Sequence, residues 1–129
     1  MRLIGIGTDI VEIARMQRLL TQSHAPRFLE RVLHAQELAR FATVSQPAAW
    51  LAKRFATKEA LAKALGTGIG QAVHLSEIET CYTDLGKPYL QLHGQTLYTA
   101  QQSQVTQIEL SVSDERHYAV AFVVLMSTL

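Results

Sequence analysis

The chain has a single cysteine, Cys81, among its 129 residues. One thiol can build neither a disulfide framework nor a cysteine zinc site, and a reducing cytoplasm is the expected setting. Cys81 itself reads as a small apolar filler on a strand. Long apolar runs are missing too: none approaches the roughly 20 residues that cross a bilayer, so no membrane partner is expected. The opening residues 1–9 alternate apolar and glycine positions before a polar pair, which is a strand rather than a signal peptide. Basic residues never cluster densely with interleaved aromatics, which argues against nucleic acid. No repeat, low-complexity tract or Pro/Gly/Ser linker divides the chain, so residues 1–129 are expected to form one domain.

The composition that remains is 48% hydrophobic and 18% charged, enough for an ordinary core. Net charge is +1, but unevenly spread: residues 1–63 hold ten of the twelve Lys/Arg and five of the eleven Asp/Glu, a balance of +5, and residues 64–129 balance at −4. The first half therefore suits either an acidic or phosphate-rich partner or a plain solvated helical surface.

Periodicity predicts an α+β order, with helices early and antiparallel hairpins late. A buried strand covers residues 3–8. A helix over 10–20 follows, with Asp9 as its N-cap. Helical pieces cover 27–32 and 35–43. Pro47 opens a longer helix over 48–65, which Gly66 stops. Strands over 76–83 and 88–93 flank the turn-rich Asp84-Leu85-Gly86-Lys87 as a hairpin. A short helix over 94–104 precedes a second hairpin, 106–112 and 118–126. Its last strand is nearly all apolar, so it is expected to be central and buried on both faces.

Two segments carry chemistry. In Gly5-Ile6-Gly7-Thr8-Asp9, one of only three aspartates in the chain follows a strand beside two glycines. Glycine permits close backbone approach, as a ligand site at a strand end needs; Asp9 as a helix cap is the plainer reading. In Arg54 through Gly70, Glu59 and Lys63 are four apart on one helical face, beside an apolar stripe of Leu51, Phe55, Ala62 and Leu65. Small Ala52 and Ala56 precede them on that face. This is either an accessible carboxylate–ammonium site or an ordinary exposed Glu–Lys pair. Lys58 falls inside the apolar stripe, so it must snorkel out or meet a partner. Gly66-Thr67-Gly68-Ile69-Gly70 lies at a helix C-terminus, and reads as a C-cap or as an anion-binding nest.

Together these segments resemble the holo-acyl-carrier-protein synthase family of 4′-phosphopantetheinyl transferases. The residues that carry the resemblance are G-T-D-I-V at 7–11, R-F-A-T-K-E-A-L-A-K-A-L-G-T-G-I at 54–69, G-K-P-Y at 86–89 and the closing S-V-S-D-E-R-H-Y-A-V-A. They span nearly the whole chain in the family's order, and the sixteen-residue helix motif is highly specific. In one departure, Asp114 stands where many members have histidine, so no role of that histidine carries over; His117 occupies a different place.

The resemblance implies transfer of the 4′-phosphopantetheine arm of coenzyme A to a serine of apo acyl carrier protein, with release of 3′,5′-ADP, in fatty acid biosynthesis. It implies Mg²⁺ held by Asp9 and Glu59, an oxygen donor set that suits that ion. No His/Cys spacing along the chain suggests zinc. Lys63 is expected at the leaving phosphate, and either Glu59 or a metal-associated water as the base. Arg54, Lys58, Lys63, Gly66, Thr67 and Pro88 match positions lining the coenzyme site. Arg15 and Arg18 on one helix, with Arg27 and Arg31 on the next, form a surface for an acidic carrier. Members are typically homotrimers with sites between subunits. Two rival readings remain: another Mg²⁺-dependent enzyme of nucleotides or phosphoesters that reuses Asp9, Glu59 and Lys63, and a non-catalytic domain whose +5 half binds acidic protein or nucleic acid.

Overall fold

Helix α4 (Pro47–Leu65) is the axis on which the computed structural model, which describes residues 1–129, is organised. Pro47 supplies the preset φ of a first helical turn, and Gly66 ends the helix in the left-handed region at φ 80°. No helix is long and apolar enough to cross a membrane.

One side of α4 packs on a three-stranded antiparallel sheet ordered β1-β5-β4: β1 (Arg2–Glu12), β5 (Tyr118–Ser127) and β4 (Gln107–Asp114). Around the rest of α4 lie α1 (Ile13–Leu20), α2 (Ala25–Val32), α3 (Ala35–Phe41) and a 3₁₀ turn (Leu75–Glu77). The hairpin of β2 (Ile78–Tyr82) and β3 (Pro88–Leu92), followed by α5 (Gly94–Gln102), completes the chain. Eleven of the nineteen α4 residues are buried, so the apolar stripe is only part of its contact surface. Ala52, Ala56, Ala60 and Ala64 form a second line of small residues at four-residue spacing, all buried.

Two expectations fail. Asp9 does not cap a helix. The strand runs on to Glu12, with Asp9 opposite Ala121, and α1 starts at Ile13 with no side-chain cap bond. Ile10 and Val11 are β-branched, and pairing with Val120 and Ala119 keeps them extended. The last strand is central, as expected, but it is not buried on both faces. Ala119, Ala121, Val123 and Leu125 are buried against α4, while Tyr118, Val120 and Phe122 alternate outward. Ile6 and Ile10 of β1 lie on the same outer face and are 57% and 63% exposed.

Candidate active site

Successive strand residues point to opposite faces, so Gly5, Gly7, Asp9 and Val11 share one face of β1, the one against α4. A Cβ at Gly5 would run into the Ala64 carbonyl, and one at Gly7 into the Ala60 carbonyl. Only glycine opposite alanine lets strand and helix backbones come this close. The contact runs back along α4 from Ala64 at Gly5 to Ala60 at Gly7, which carries the next residue on the face, Asp9, toward the middle of the helix.

There Lys63 Nζ donates to Asp9 Oδ1 at 2.9 Å and to the Thr8 carbonyl at 3.1 Å. The Lys63 side chain is 53% exposed and that of Asp9 18%, so the pair opens to solvent. Glu59 lies one turn before Lys63. Burial, and then the charge of Asp9, push its carboxyl above the ordinary range; Lys63 and Arg15 pull the other way. Arg15 stands with its guanidinium 5.3 Å from the Phe55 ring centroid. The structure thus brings Asp9, Glu59, Lys63 and Arg15, from β1, α4 and α1, into one electrostatic cluster.

Lys58 is not part of it. Its side chain is wholly buried, and Nζ donates to Glu37 Oε1 at 2.6 Å, the Val32 carbonyl at 2.6 Å and the Leu75 carbonyl at 3.0 Å. All three donors of the ammonium are used inside the core. The expectation that Lys58 lines a coenzyme site is corrected: its partner is Glu37, which sequence reading did not single out. Burial lowers the pKa of Lys58, and Glu37 opposes that effect.

Arg54 leaves α4 about half a rotation from Lys63, nine positions apart at about 100° each. It is 3% exposed, with its guanidinium carbon 3.8 Å from the Trp50 ring centroid. Its Nε lies 3.7 Å from Glu37 Oε2 yet makes no hydrogen bond, and Thr80 Oγ1 beside it is equally unpartnered. Both residues line a cavity of about 210 Å³ with Lys53, Tyr82 and Pro88. Arg54 and Pro88 are therefore neighbours across this cavity. Asp114 also borders this cavity and lies 3.8 Å from Lys53 Nζ.

Gly66 and Thr67 are exposed, and their N–H groups bond back to the Lys63 and Ala62 carbonyls. The glycine-rich segment is thus a C-cap at its start. Arg15, Arg18, Arg27 and Arg31 are all exposed on α1 and α2. Arg18 is tied only to Glu12, at 3.3 Å.

The family model of the 4′-phosphopantetheinyl transferase superfamily matches residues 5–123. The chain belongs to that superfamily. It is 48% identical to the holo-[acyl-carrier-protein] synthase of Vibrio parahaemolyticus over 127 residues, covering 98% of this chain and 100% of the relative. The crystal structure of holo-[acyl-carrier-protein] synthase from Neisseria meningitidis superposes with a TM-score of 0.91 at 39% identity, covering 97% of this chain and 99% of that one. The Bacillus anthracis holo-(acyl-carrier-protein) synthase, solved in complex with CoA (3′,5′-ADP), superposes at 0.82 with 35% identity, over 99% and 100% of the two chains. In this transferase the matched segment contains Asp9, with most of its strand, and the whole of α4.

Proposed function

We propose that the chain transfers 4′-phosphopantetheine from coenzyme A to a serine of apo acyl carrier protein, releasing 3′,5′-ADP and activating the carrier for fatty acid biosynthesis. The observation that carries this reading is the convergence of Asp9, Glu59 and Lys63 in a chain similar over its whole length to holo-acyl-carrier-protein synthases. Neither rival reading has support of this extent.

Mg²⁺ is the fitting cofactor, held by Asp9 and Glu59. The fit rests on the donor set: two carboxylates from separate elements meet at the rim of the core, and burial, then the charge of Asp9, holds the Glu59 carboxyl above its ordinary range, which a hard divalent cation relieves. When bound, the ion supplies charge neutralisation of the pyrophosphate. The remaining work falls to side chains. The serine oxygen forms a bond to the β-phosphorus, and the bond from that phosphorus to the bridging oxygen breaks, its electron pair leaving with 3′,5′-ADP. Either Glu59 or a neighbouring water accepts the serine proton. Lys63, exposed and flexible, turns its ammonium to the leaving phosphate and holds the charge that develops there.

The buried, unpartnered Arg54 Nε and Thr80 Oγ1 beside Pro88 support a polar part of the coenzyme in that cavity, with Gly66 and Thr67 at the end of α4 as further contacts. Lys58 supports the helix from within. Arg54 and Lys63 leave α4 on opposite sides, so a coenzyme touching both kinds of position bridges two copies of the chain. The outward apolar face of Ile6, Ile10, Val120 and Phe122 fits such contact, and a homotrimer with sites between subunits follows. A solution mass three times 14.3 kDa by light scattering is the expected result. Arg15, Arg18, Arg27 and Arg31 form the docking surface for the acidic carrier. We place the reaction in the cytoplasm, where Cys81 stays reduced, as the work of one domain.

Intact-mass spectrometry of apo carrier with the enzyme, coenzyme A and Mg²⁺ tests the reading. A gain of roughly 340 Da that EDTA abolishes is expected for metal-assisted transfer. No gain with several carriers would overturn it.

A further inference from the structure

Three ligand-type side chains that the transfer reaction does not use converge at a distance from the Asp9 cluster. His34 precedes α3, Glu79 lies on β2 and His93 precedes α5; their donor atoms all fall within 4.8 Å of one another. His93 Nε2 is 3.0 Å and His34 Nδ1 3.9 Å from the same oxygen of Glu79. The two imidazole rings stack with centroids 4.4 Å apart. All three side chains are partly buried, at 23%, 15% and 33% exposed in chain order.

We propose that His34, Glu79 and His93 form a second metal site, of His₂–carboxylate type, that takes Zn²⁺ or a similar borderline divalent ion and leaves one coordination position to water. Zn²⁺ binds imidazole nitrogen and carboxylate oxygen at about 2.0–2.2 Å, which sets neighbouring tetrahedral ligands about 3.4 Å apart. The two observed distances to Glu79 straddle that value, and the two stacked rings must rotate out of their stack for both lone pairs to point at one ion. Mg²⁺ is the wrong ion here, since it prefers oxygen donors in octahedral geometry.

The ligands are available. His93 has no capping duty, because Glu77 receives the first-turn N–H groups of α5 from Gln95 at 3.3 Å and Thr96 at 2.9 Å. His34 does have one, accepting the Gln36 N–H at 3.2 Å, but Gln36 is exposed and water replaces that bond when the metal takes the lone pair. Glu37, although near, is spent on Lys58 and the Thr80 N–H and is no ligand. A cavity of about 180 Å³ lined by Gln36, Glu37, Arg40, Glu79 and Cys81 borders the Glu79 carboxylate. Cys81 Sγ sits 3.9 Å from Gln91 Oε1 and also neighbours the Glu79 carboxylate, but it is not one of the three groups whose donor atoms converge. A bound ion would tie α3, the β2–β3 hairpin and α5 together.

The test is zinc titration of the untagged enzyme against a chromophoric chelator, in excess Mg²⁺ so that the Asp9–Glu59 carboxylates are occupied. The expected result is one Zn²⁺ per chain with a dissociation constant in the low micromolar range or tighter. Glu79→Gln and His93→Gln should each weaken it at least tenfold, with His24→Gln unchanged. His34→Asn removes the ligand while keeping a good N-cap residue, so its loss of zinc cannot be blamed on α3 unravelling. Zinc should raise the Tm of the parent and leave these three variants unmoved. X-ray absorption should show nitrogen and oxygen neighbours with imidazole scattering and no sulfur. No saturable binding below about 100 µM, binding unchanged in the three variants, or a sulfur ligand would each overturn the proposal.

Discussion

Two lysines of α4, five residues apart, are put to opposite uses. Lys58 has no exposed surface and spends its ammonium on Glu37, Val32 and Leu75. Lys63 is 53% exposed and leans on Asp9 and one carbonyl, both of which water or a ligand replaces at little cost. The difference is not residue type or local helix geometry but what each side of α4 faces. On the Lys58 side, α2 and the 3₁₀ turn offer carbonyls that close around a cation. On the Lys63 side, Gly5 and Gly7 bring β1 so close that charged side chains are confined to its open end. A buried ion pair with every donor used is architecture; an open cluster with a strained carboxylate is available for chemistry.

The strongest way to break this contrast is to neutralise the open cluster without disturbing its shape. Asp9→Asn and Glu59→Gln should each lower kcat by at least about a thousandfold at any Mg²⁺ concentration, as loss of a metal-holding carboxylate does. Lys63→Ala should lose about a hundredfold or more. None of the three should destabilise the fold by more than about 0.5 kcal/mol, because they sit at a surface. Near-normal turnover in either carboxylate variant, measured by carrier mass shift, would remove Asp9 and Glu59 from the mechanism.

The buried side predicts the reverse. Lys58→Met leaves the buried Glu37 with two backbone N–H donors, from His34 and Thr80, and Arg54 3.7 Å away without a hydrogen bond as its nearest cation. Breaking a buried pair this way costs about 3–5 kcal/mol, readable in urea unfolding. The protein that remains folded should turn over within a few-fold of the parent. A large loss of kcat with unchanged stability would instead place Lys58 in the coenzyme site.

How far the sequence reached follows the same division. The Lys–Glu–x–x–x–Lys spacing put Glu59 and Lys63 on one face, and the G-x-G-x-D alternation holds the face that meets them, so the cluster was readable as two halves. Their meeting was not, because strand–helix docking is long-range. Asp9 was misread as a cap since a strand end and a helix start share the same polar signal; the pairing with β5 decides it. Glu37 gave no signal beyond an ordinary helical glutamate in a first turn, where it also completes a capping box with His34. His34, Glu79 and His93 are scattered over sixty residues, and no spacing rule joins side chains from three elements.

The arginine surface sharpens the comparison at intermediate size. Arg15 both faces the carrier side and lowers the pKa of Glu59, whereas Arg31 has no such contact. Both Arg15→Ala and Arg31→Ala should raise the carrier KM several-fold at low salt, an effect that fades as ionic strength rises. Only Arg15→Ala should also shift the acidic limb of the kcat profile, to higher pH, because removing a cation leaves Glu59 harder to ionise. A shift of equal size in Arg31→Ala would mean that the arginines act as a diffuse field.

The smallest effect tests the strain itself. Glu59 has a folded pKa above its unfolded one, so between those values the native state binds more protons than the unfolded state. Its contribution therefore falls as pH rises through that window, which opens near the ordinary glutamate value of about 4.3. Above the folded pKa the penalty is fully present. In the absence of Mg²⁺, Glu59→Gln should melt slightly higher than the parent at neutral pH, and the gap should close below about pH 4. Adding Mg²⁺ should raise the parent and not the variant, since only the parent binds the ion in its folded state. If the parent melts higher at neutral pH without metal, Lys63 and Arg15 outweigh burial and Asp9. Glu59 would then be a satisfied partner like Glu37, and the open cluster would lose the under-compensated carboxylate that suits a cation.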